Sequence, residues 1–353
     1  MSDQDTAGPG AARGRFRIDG HSQPYTHLEF RNDPEAFQFA LVSDNSGGGR
    51  AGVLHAAARL LNELQPEFVV NLGDLVEGYN DPGGFPATEQ TYRTWWREID
   101  AALAPLEMPF FYVPGNHDLN NPASVQVWRE RLGGTRDYYH FRYRDVLFLV
   151  VNTEDPPKDT DHVIEHDPEQ AAVLEASYHA VKDAVAAGAD VETVLEAAQP
   201  IEDFFGVINI SETQVDYFAG VLAATADVRW TFVLMHAPAW STSDGLQRDP
   251  RNFARIEQLL ADRPYTVFAA HTHKYNYTER HGRDYIITAM TGAMNVPRLG
   301  AIDHVVWVTM TNAGPKIANL LLNGILDKHG PTEGDPTTEL GMYRPPPPAP
   351  PTR

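Results

Sequence analysis

The residues of this sequence whose types and placement suit chemistry are Asp44, Asp74, Asn116, His117, Asp118, His236, His271 and His273. Carboxylate and amide oxygens and imidazole nitrogens ligate divalent cations, and an imidazole also moves protons near neutral pH. Asn116, His117 and Asp118 follow the apolar run Phe110-Phe-Tyr-Val113, which breaks at Pro114-Gly115. They should therefore lie on a loop just past a strand end, with Asp118 behind His117 and able to fix its tautomer. Asp44 follows the apolar run 37–43, Asp74 follows 68–72, His236 follows 230–235, and His271 and His273 follow 266–270. A single Asp after a strand is ordinarily a turn residue. Turn chemistry does not explain ligand types at the end of every one of these runs, and in open α/β sheets sites assemble outside the carboxyl ends of strands. A set this large suits two divalent metals, and its mixture of carboxylate oxygens and imidazoles selects Mn²⁺, Fe or Zn²⁺ over Ca²⁺. Two such ions roughly 3.5–4 Å apart share a carboxylate and a hydroxide, clamp an in-line displacement, and bring the water pKa from about 15.7 towards 7.

The elements that must carry these residues alternate between strand and helix. After an arm at 1–34, strand 37–43 leads through a Gly47-Gly48-Gly49 turn into a helix with Val53, Leu54, Ala57, Ala58, Leu61 and Leu64 at helical spacing. Strand 68–72 follows, making a βαβ unit with parallel strands. A helix at 91–103, strand 110–113, a helix at 125–132 and a hairpin of 138–143 with 146–152 come next. Residues 154–206 are acidic and alanine-rich and form a helical insertion: one helix begins at Asp167-Pro168 and stops at Gly188, and a second covers 191–198. Ser211-Glu-Thr-Gln214 is a capping box for a helix to 224. Strand 230–235, helix 253–260 and strands at 266–270, 285–288, 305–310 and 317–322 complete a domain spanning 35–322. A polar, Pro-rich tail covers 323–353.

Composition narrows the function. The formal charge is −20, from 48 acidic against 28 basic residues, and it repels nucleic acid and anionic membrane surfaces. With no cysteine, disulfides, thiolate metal sites and a Cys nucleophile are excluded. Met1-Ser2-Asp3-Gln4-Asp5 lacks a basic region followed by an apolar core, and no apolar run reaches membrane-spanning length. The expectation is a cytoplasmic protein acting on a small molecule.

Gly73-Asp74, Gly115-Asn116-His117-Asp118, His236 and His271-Thr272-His273, in this order, resemble the motifs of the calcineurin-like metallophosphoesterase superfamily. The resemblance covers roughly 37–322 apart from the insertion. It implies an α/β fold, a four-layer α/β/β/α sandwich of two mixed sheets, and a dimetal hydrolase of phosphoric esters. Asp44 and His273 would hold the first metal, Asn116, His236 and His271 the second, and Asp74 would bridge them. His117 would contact the phosphoryl oxygen or protonate the leaving group, oriented by Asp118. The sequence departs from the family at Ser46, where the first motif usually has His or Asn. Water, Asn45 or substrate would fill that gap. Two outcomes follow: an enzyme with a more open first metal, or a weakened site in a binding or scaffold protein.

Other residues carry two readings. The three glycines at 47–49 are either an anion nest for phosphate or a turn into the helix. Glu77 is a loop carboxylate or a partner behind the ligands. Trp95 and Trp96 read as helix–sheet packing, Trp240 as a residue of the cleft or of the core, and His162, His166 and His179 as solvated. The insertion is expected at the rim of the site, where long additions set access.

Overall fold

Phe37, Phe39 and Leu41 alternate with Ala40 and Val42, and both sets are buried, so the first strand must be covered on its two faces. This computed structural model describes residues 35–78, 87–134, 136–157, 159–205, 208–241, 250–295 and 299–322. The proposed arm and tail lie outside them. Strand β1 (Phe37–Val42) connects through helix α1 (Val53–Leu64) to β2 (Phe68–Asn71), and α2 (Glu89–Leu103) leads to β3 (Phe110–Tyr112). Helix α3 (Pro122–Leu132) precedes the hairpin β4 (Tyr139–Tyr143) and β5 (Val146–Val151). Helices α4 (Thr160–His166), α5 (Pro168–Ala186), α6 (Val191–Phe205) and α7 (Glu212–Ala224) follow. The chain then forms β6 (Trp230–Met235), α8 (Pro250–Leu260), β7 (Tyr265–Ala269), β8 (Asn276–Arg280), β9 (Arg283–Ile287), β10 (His304–Thr311) and β11 (Gly314–Leu321).

The strands make two mixed sheets, one of order β11-β10-β1-β2-β3 and one of order β4-β5-β6-β7-β9-β8. β1, β2 and β3 are parallel in the first; β5, β6, β7 and β9 are parallel in the second. Between the sheets, Phe39 meets Phe148 and Phe232 edge to face at 5.3 and 5.1 Å, with Leu41, Val70, Leu234 and Phe268 in the same core. The opposite face of the first sheet packs on α1 through Ala40, Val42, Ala57 and Leu61. The opposite face of the second packs Leu149, Val233 and Val267 against Phe218 of α7 and Phe253 and Ile256 of α8. The result is the α/β/β/α sandwich. Truncating one of the interior phenylalanines to Ala would cost about 3–5 kcal/mol. Among the described residues, no helix is long and apolar enough to cross a membrane.

Several elements differ from the sequence reading. Helix α3 starts at Pro122 because Asn121 caps it: its side chain accepts the Ser124 N–H, and the Ser124 hydroxyl accepts the Asn121 N–H. Ser211 caps α7 as expected, but Gln214 does not complete a capping box. Its side chain instead turns inward, accepting the Asn152 N–H at 2.8 Å and donating to the Asn152 carbonyl at 3.0 Å, which ties α7 to the end of β5. Helix α4 and strand β8 had no apolar period to announce them; four of the five β8 residues are exposed.

His304, buried in β10, links the second sheet's loops to the first sheet. Its Nε2 accepts the Ala289 N–H at 2.9 Å, so Nδ1–H faces the Asn319 amide oxygen at 3.0 Å. Burial pulls its pKa from 6.5 down to about 4. A folded pKa below the unfolded one means the unfolded chain binds more protons in that interval. The stability is therefore complete above about 6.5 and is lost as pH falls towards 4, on the order of 3 kcal/mol in all. The thermal unfolding midpoint is expected to drop between pH 7 and 5, and His304→Gln should flatten that slope. Equal slopes in the two proteins would remove this role.

Candidate metal centre

The carboxyl ends of β1, β2 and β3 in one sheet and of β6 and β7 in the other open toward a common point. Asp44, Asp74, Asn116 with His117, His236, and His271 with His273 follow those ends. The turns that aim them are unusual. Among the described residues seven non-glycines have positive φ, and four of them are Asp44, Asp74, His271 and His273, at 48°, 58°, 73° and 52°. Such conformations are tolerated where surrounding structure imposes them, commonly at functional sites. Gly73 and Gly115 are glycines for a spatial reason. A Cβ on Gly73 would stand 2.5 Å from His236 Nδ1, and one on Gly115 2.1 Å from an Asp74 carboxylate oxygen.

His236 is the centre of one group. It is fully buried, and its Nδ1 faces the Leu72 carbonyl at 2.8 Å. That nitrogen carries a proton and donates, which leaves Nε2 to face Asp74 Oδ2 at 3.0 Å, Asn116 Oδ1 at 3.1 Å and His271 Nδ1 at 3.2 Å. Asp74, His236 and His271 offer ligand atoms all within 4.8 Å of one another. Two oxygens and two ring nitrogens face one another at this point, a set that protons on the imidazoles or a cation would satisfy. The electrostatics say the same. Burial alone would lower the His236 pKa, yet Asp74 and Asp44 raise it to about 10. Burial would raise Asp74, yet His236, His117 and His271 hold it well below the usual carboxylate range. A proton on His236 or a cation among these atoms meets the demand, and oxygen with imidazole donors fit a divalent transition metal.

Asp44 forms the neighbouring group. Fully buried, it accepts the His271 N–H at 3.1 Å and faces His273 Nε2 at 3.5 Å. Burial pushes its carboxyl up to about 7. His117 lies between the groups: its N–H donates to Asp74 Oδ1 at 2.9 Å and its Nε2 is 3.9 Å from Asp74 Oδ2.

Asp118 does not orient His117. Its carboxylate is buried beneath the loops, where it accepts the N–H groups of Asp74, Gly115, Leu75 and Val76 at 2.8, 3.0, 3.1 and 3.4 Å. The partner of His117 Nδ1 is the Glu77 carbonyl. Ser46 gives its hydroxyl to the Asp74 carbonyl at 2.9 Å, and Asn45 gives its amide to the Leu75 carbonyl at 3.0 Å, so both are turned to backbone. The Gly48 and Gly49 N–H groups are taken by the Glu77 carboxylate, so of the two readings of the glycine run the structure shows the turn, with those donors already engaged. Trp96 packs on Trp128 and Tyr112, whereas Trp95 lines a cavity of about 480 Å³ with Asn45, Ser46, Glu77, Leu54 and Ile99. Trp240 joins the core on Phe253 and Tyr285. His162, His166 and His179 are exposed. Of the two sequence readings of Glu77, its contacts favour the partner behind the ligands, and Trp95 also packs edge to face on Tyr92 as packing would have it. The bracing role of Asp118 had no signal in the sequence.

A model of the calcineurin-like phosphoesterase family matches residues 37–275. Among solved structures, a dimetal phosphatase from Danio rerio is similar with a TM-score of 0.51 and 14% identity, covering 80% of this chain and 99% of that one. GAP50, described as the anchor in the inner membrane complex of Plasmodium, aligns with a TM-score of 0.51 and 13% identity over 82% of this chain and 85% of its own. The purple acid phosphatase PPD1 from yellow lupin seeds aligns with a TM-score of 0.51 and 11% identity over 82% of this chain and 52% of its own. At such identities these three establish a shared fold. No curated protein matches the sequence.

The bracing role of Asp118 has a direct test. Asp118→Asn sets an amide's two donors among four N–H groups. It should cost on the order of 2–4 kcal/mol in stability and weaken metal uptake as Asp74 shifts. A variant that melted and loaded metal like the parent, losing only turnover, would return Asp118 to a role through the His117 ring.

Proposed function

The chain belongs to the calcineurin-like phosphoesterase family, and from that premise we propose that it is a dimetal-dependent hydrolase of phosphoric esters acting on a small-molecule monoester or diester. The observation that carries the proposal is the convergence of Asp74, Asn116, His236 and His271 on one point, with Asp44 and His273 beside it. In this reading Asn116, His236 and His271 hold one ion, Asp44 and His273 the other, and Asp74 lies between. Two divalent ions, Mn²⁺, Fe or Zn²⁺, would supply an acidified water as nucleophile and positive charge for the phosphoryl oxygens. The chain's own residues do the rest. The Leu72 carbonyl fixes the tautomer that turns His236 Nε2 inward. The Glu77 carbonyl does the same for His117, so that its Nε2 is the atom presented to a phosphoryl or leaving-group oxygen and, when protonated, delivers the proton. The strained turns keep these groups in place before substrate arrives.

The cavity lined by Trp95 lies on the α1–α2 side of the site loops, meeting them at Asn45, Ser46 and Glu77, and none of the ligand-type residues lines it. The strongly acidic chain disfavours polyanionic substrates. Helices α4–α6 are proposed as an insertion at the rim, because Asp161 of α4 accepts from Asn121, close behind the His117 loop.

A second reading has its own observation. Ser46 is turned to the Asp74 carbonyl, so the Asp44 side lacks a donor from that position, and a neighbour of the same fold is described as an anchor. On this reading the chain is a binding or scaffold protein with little turnover. Metal analysis combined with turnover of a chromogenic phosphomonoester and a bis-ester in added Mn²⁺ separates the two. Two bound ions with ester hydrolysis support the enzyme; fewer ions and no hydrolysis support the scaffold.

Within the enzyme reading, Asp74→Ala or Asn116→Ala should remove metal and abolish turnover. His117→Ala should keep both ions and slow kcat roughly 10²–10⁴-fold, and metal loss in that variant would overturn its assigned role.

A further inference from the structure

Glu77 makes contacts that neither the ligand set nor the proton transfer at His117 accounts for. Its backbone carbonyl faces His117 Nδ1, while its carboxylate turns the other way. Oε1 accepts the Gly48 N–H at 2.8 Å and Oε2 the Gly49 N–H at 3.3 Å. Gly47 and Gly48 have φ of 80° and 81°, a conformation that side chains rarely adopt. The loop they form lies against both imidazoles of the site: a Cβ on Gly47 would be 3.1 Å from His273 Cε1 and 3.7 Å from His117 Nε2. From the other side, the Met294 N–H donates to the Gly47 carbonyl at 3.1 Å, and a Cβ on Gly48 would be 2.9 Å from Met294 Cβ.

A run of three glycines is the most costly kind of chain to order, and it has no side chain with which to hold itself. Hydrogen bonds from backbone N–H groups to an ionised carboxylate are among the stronger kinds, so Glu77 is the group that offsets that cost. The matter is acute here because the Ser46 hydroxyl, just before the glycines, is turned to the Asp74 carbonyl.

We propose that Glu77 is a positioning residue: its carboxylate clamps the Gly47–Gly49 loop onto His273 and His117, and its carbonyl sets the His117 tautomer. One residue thereby holds the proton-transfer group and, from behind, the side of the centre that Ser46 leaves without a ligand. The inference rests on the roles assigned above to His117 and His273. Glu77 touches neither substrate nor ion in this arrangement; it acts through the loop.

The test uses the full chain with Glu77→Ala and Glu77→Gln, the amide keeping one acceptor oxygen. In metal-free protein, amide exchange at Gly48 and Gly49 should accelerate at least about 10-fold in Glu77→Ala, and the His273 and His117 imidazole resonances should move. Mn²⁺ titration should show about 10–100-fold weaker binding at the weaker site, the usual effect of losing a partner behind a ligand. With a chromogenic ester, kcat should fall with KM nearly unchanged, and Glu77→Gln should recover most of each loss. Unchanged exchange and Mn²⁺ affinity in Glu77→Ala would overturn the clamp, as would a Glu77→Gln variant no better than Ala. If Glu77→Ala does not fold, partial acceleration of exchange in Glu77→Gln decides the question alone. A parent protein without ester turnover would sink the enzyme reading and leave the exchange and Mn²⁺ results to judge the clamp.

Discussion

The arrangement turns on one electrostatic constraint: lone pairs from Asp74, Asn116, His236 and His271 are buried face to face at His236 Nε2. Without positive charge between them, such a set would repel and cost several kcal/mol in unmet polar groups. The Leu72 carbonyl removes the easiest escape by claiming the one proton that a neutral His236 carries, on Nδ1. What remains is a proton on His271 Nδ1 donated to His236, an additional proton, or a metal cation. Asp74 and Asp44 raise the His236 pKa in spite of its burial, so the pocket favours positive charge. The rest of the fold serves to keep that conflict from relaxing.

It does so from two directions. β1, β2 and β3 deliver Asp44, Asp74, Asn116 and His117 from one sheet, while β6 and β7 deliver His236, His271 and His273 from the other. The aromatic core between the sheets holds both sets of strand ends at fixed separation. Local devices then remove the remaining freedom. The Asp118 carboxylate gathers N–H groups from the loops after β2 and β3, binding the two turns into one unit beneath the ligands. The close approach of Gly115 to Asp74 lets those turns nest, and the Asp44 carbonyl accepts the Ala293 N–H, anchoring the first turn to the loop before β10. Left-handed backbone at Asp44, Asp74, His271 and His273 is the residual strain of forcing short turns to aim four side chains inward.

Much of this was legible in the sequence because the signal lay in order along the chain. Apolar runs buried on both faces read as central strands, and ligand-type residues directly after them can point only to the sheet's carboxyl edge. The parts that were not legible depend on direction. Adjacent residues on a helix point about 100° apart, so Trp96 enters the core while Trp95 faces a cavity, and nothing in their identity distinguishes them. Asp118 stands next to His117 in sequence, yet its carboxylate turns under the loop, because several backbone N–H groups in the turns need an acceptor there. Gln214 satisfies the capping-box pattern but meets a stronger demand from the Asn152 backbone at the end of β5. β8 is an exposed edge strand and has no alternation to read.

The two halves of the centre are not equivalent, and the difference follows from which charges lie nearby. Asp74 is surrounded by His236, His117 and His271 and stays ionised, so its side of the site is poised for a cation over a wide pH range. Asp44 is equally buried, but burial outweighs the help it receives, and its carboxyl rises to about 7. A cation held on the Asp44 side would compete with that proton, and its hold would weaken as the medium becomes acidic. Ser46 accentuates the asymmetry, since its hydroxyl is engaged with the Asp74 carbonyl and adds no donor beside Asp44. On the proposed ligand set, a cation on the Asp44 side would depend more heavily on His273 keeping its orientation, and the Gly47 backbone packs against that ring. The placement of histidines thus sets apart two otherwise similar buried carboxylates, one ionised and one raised.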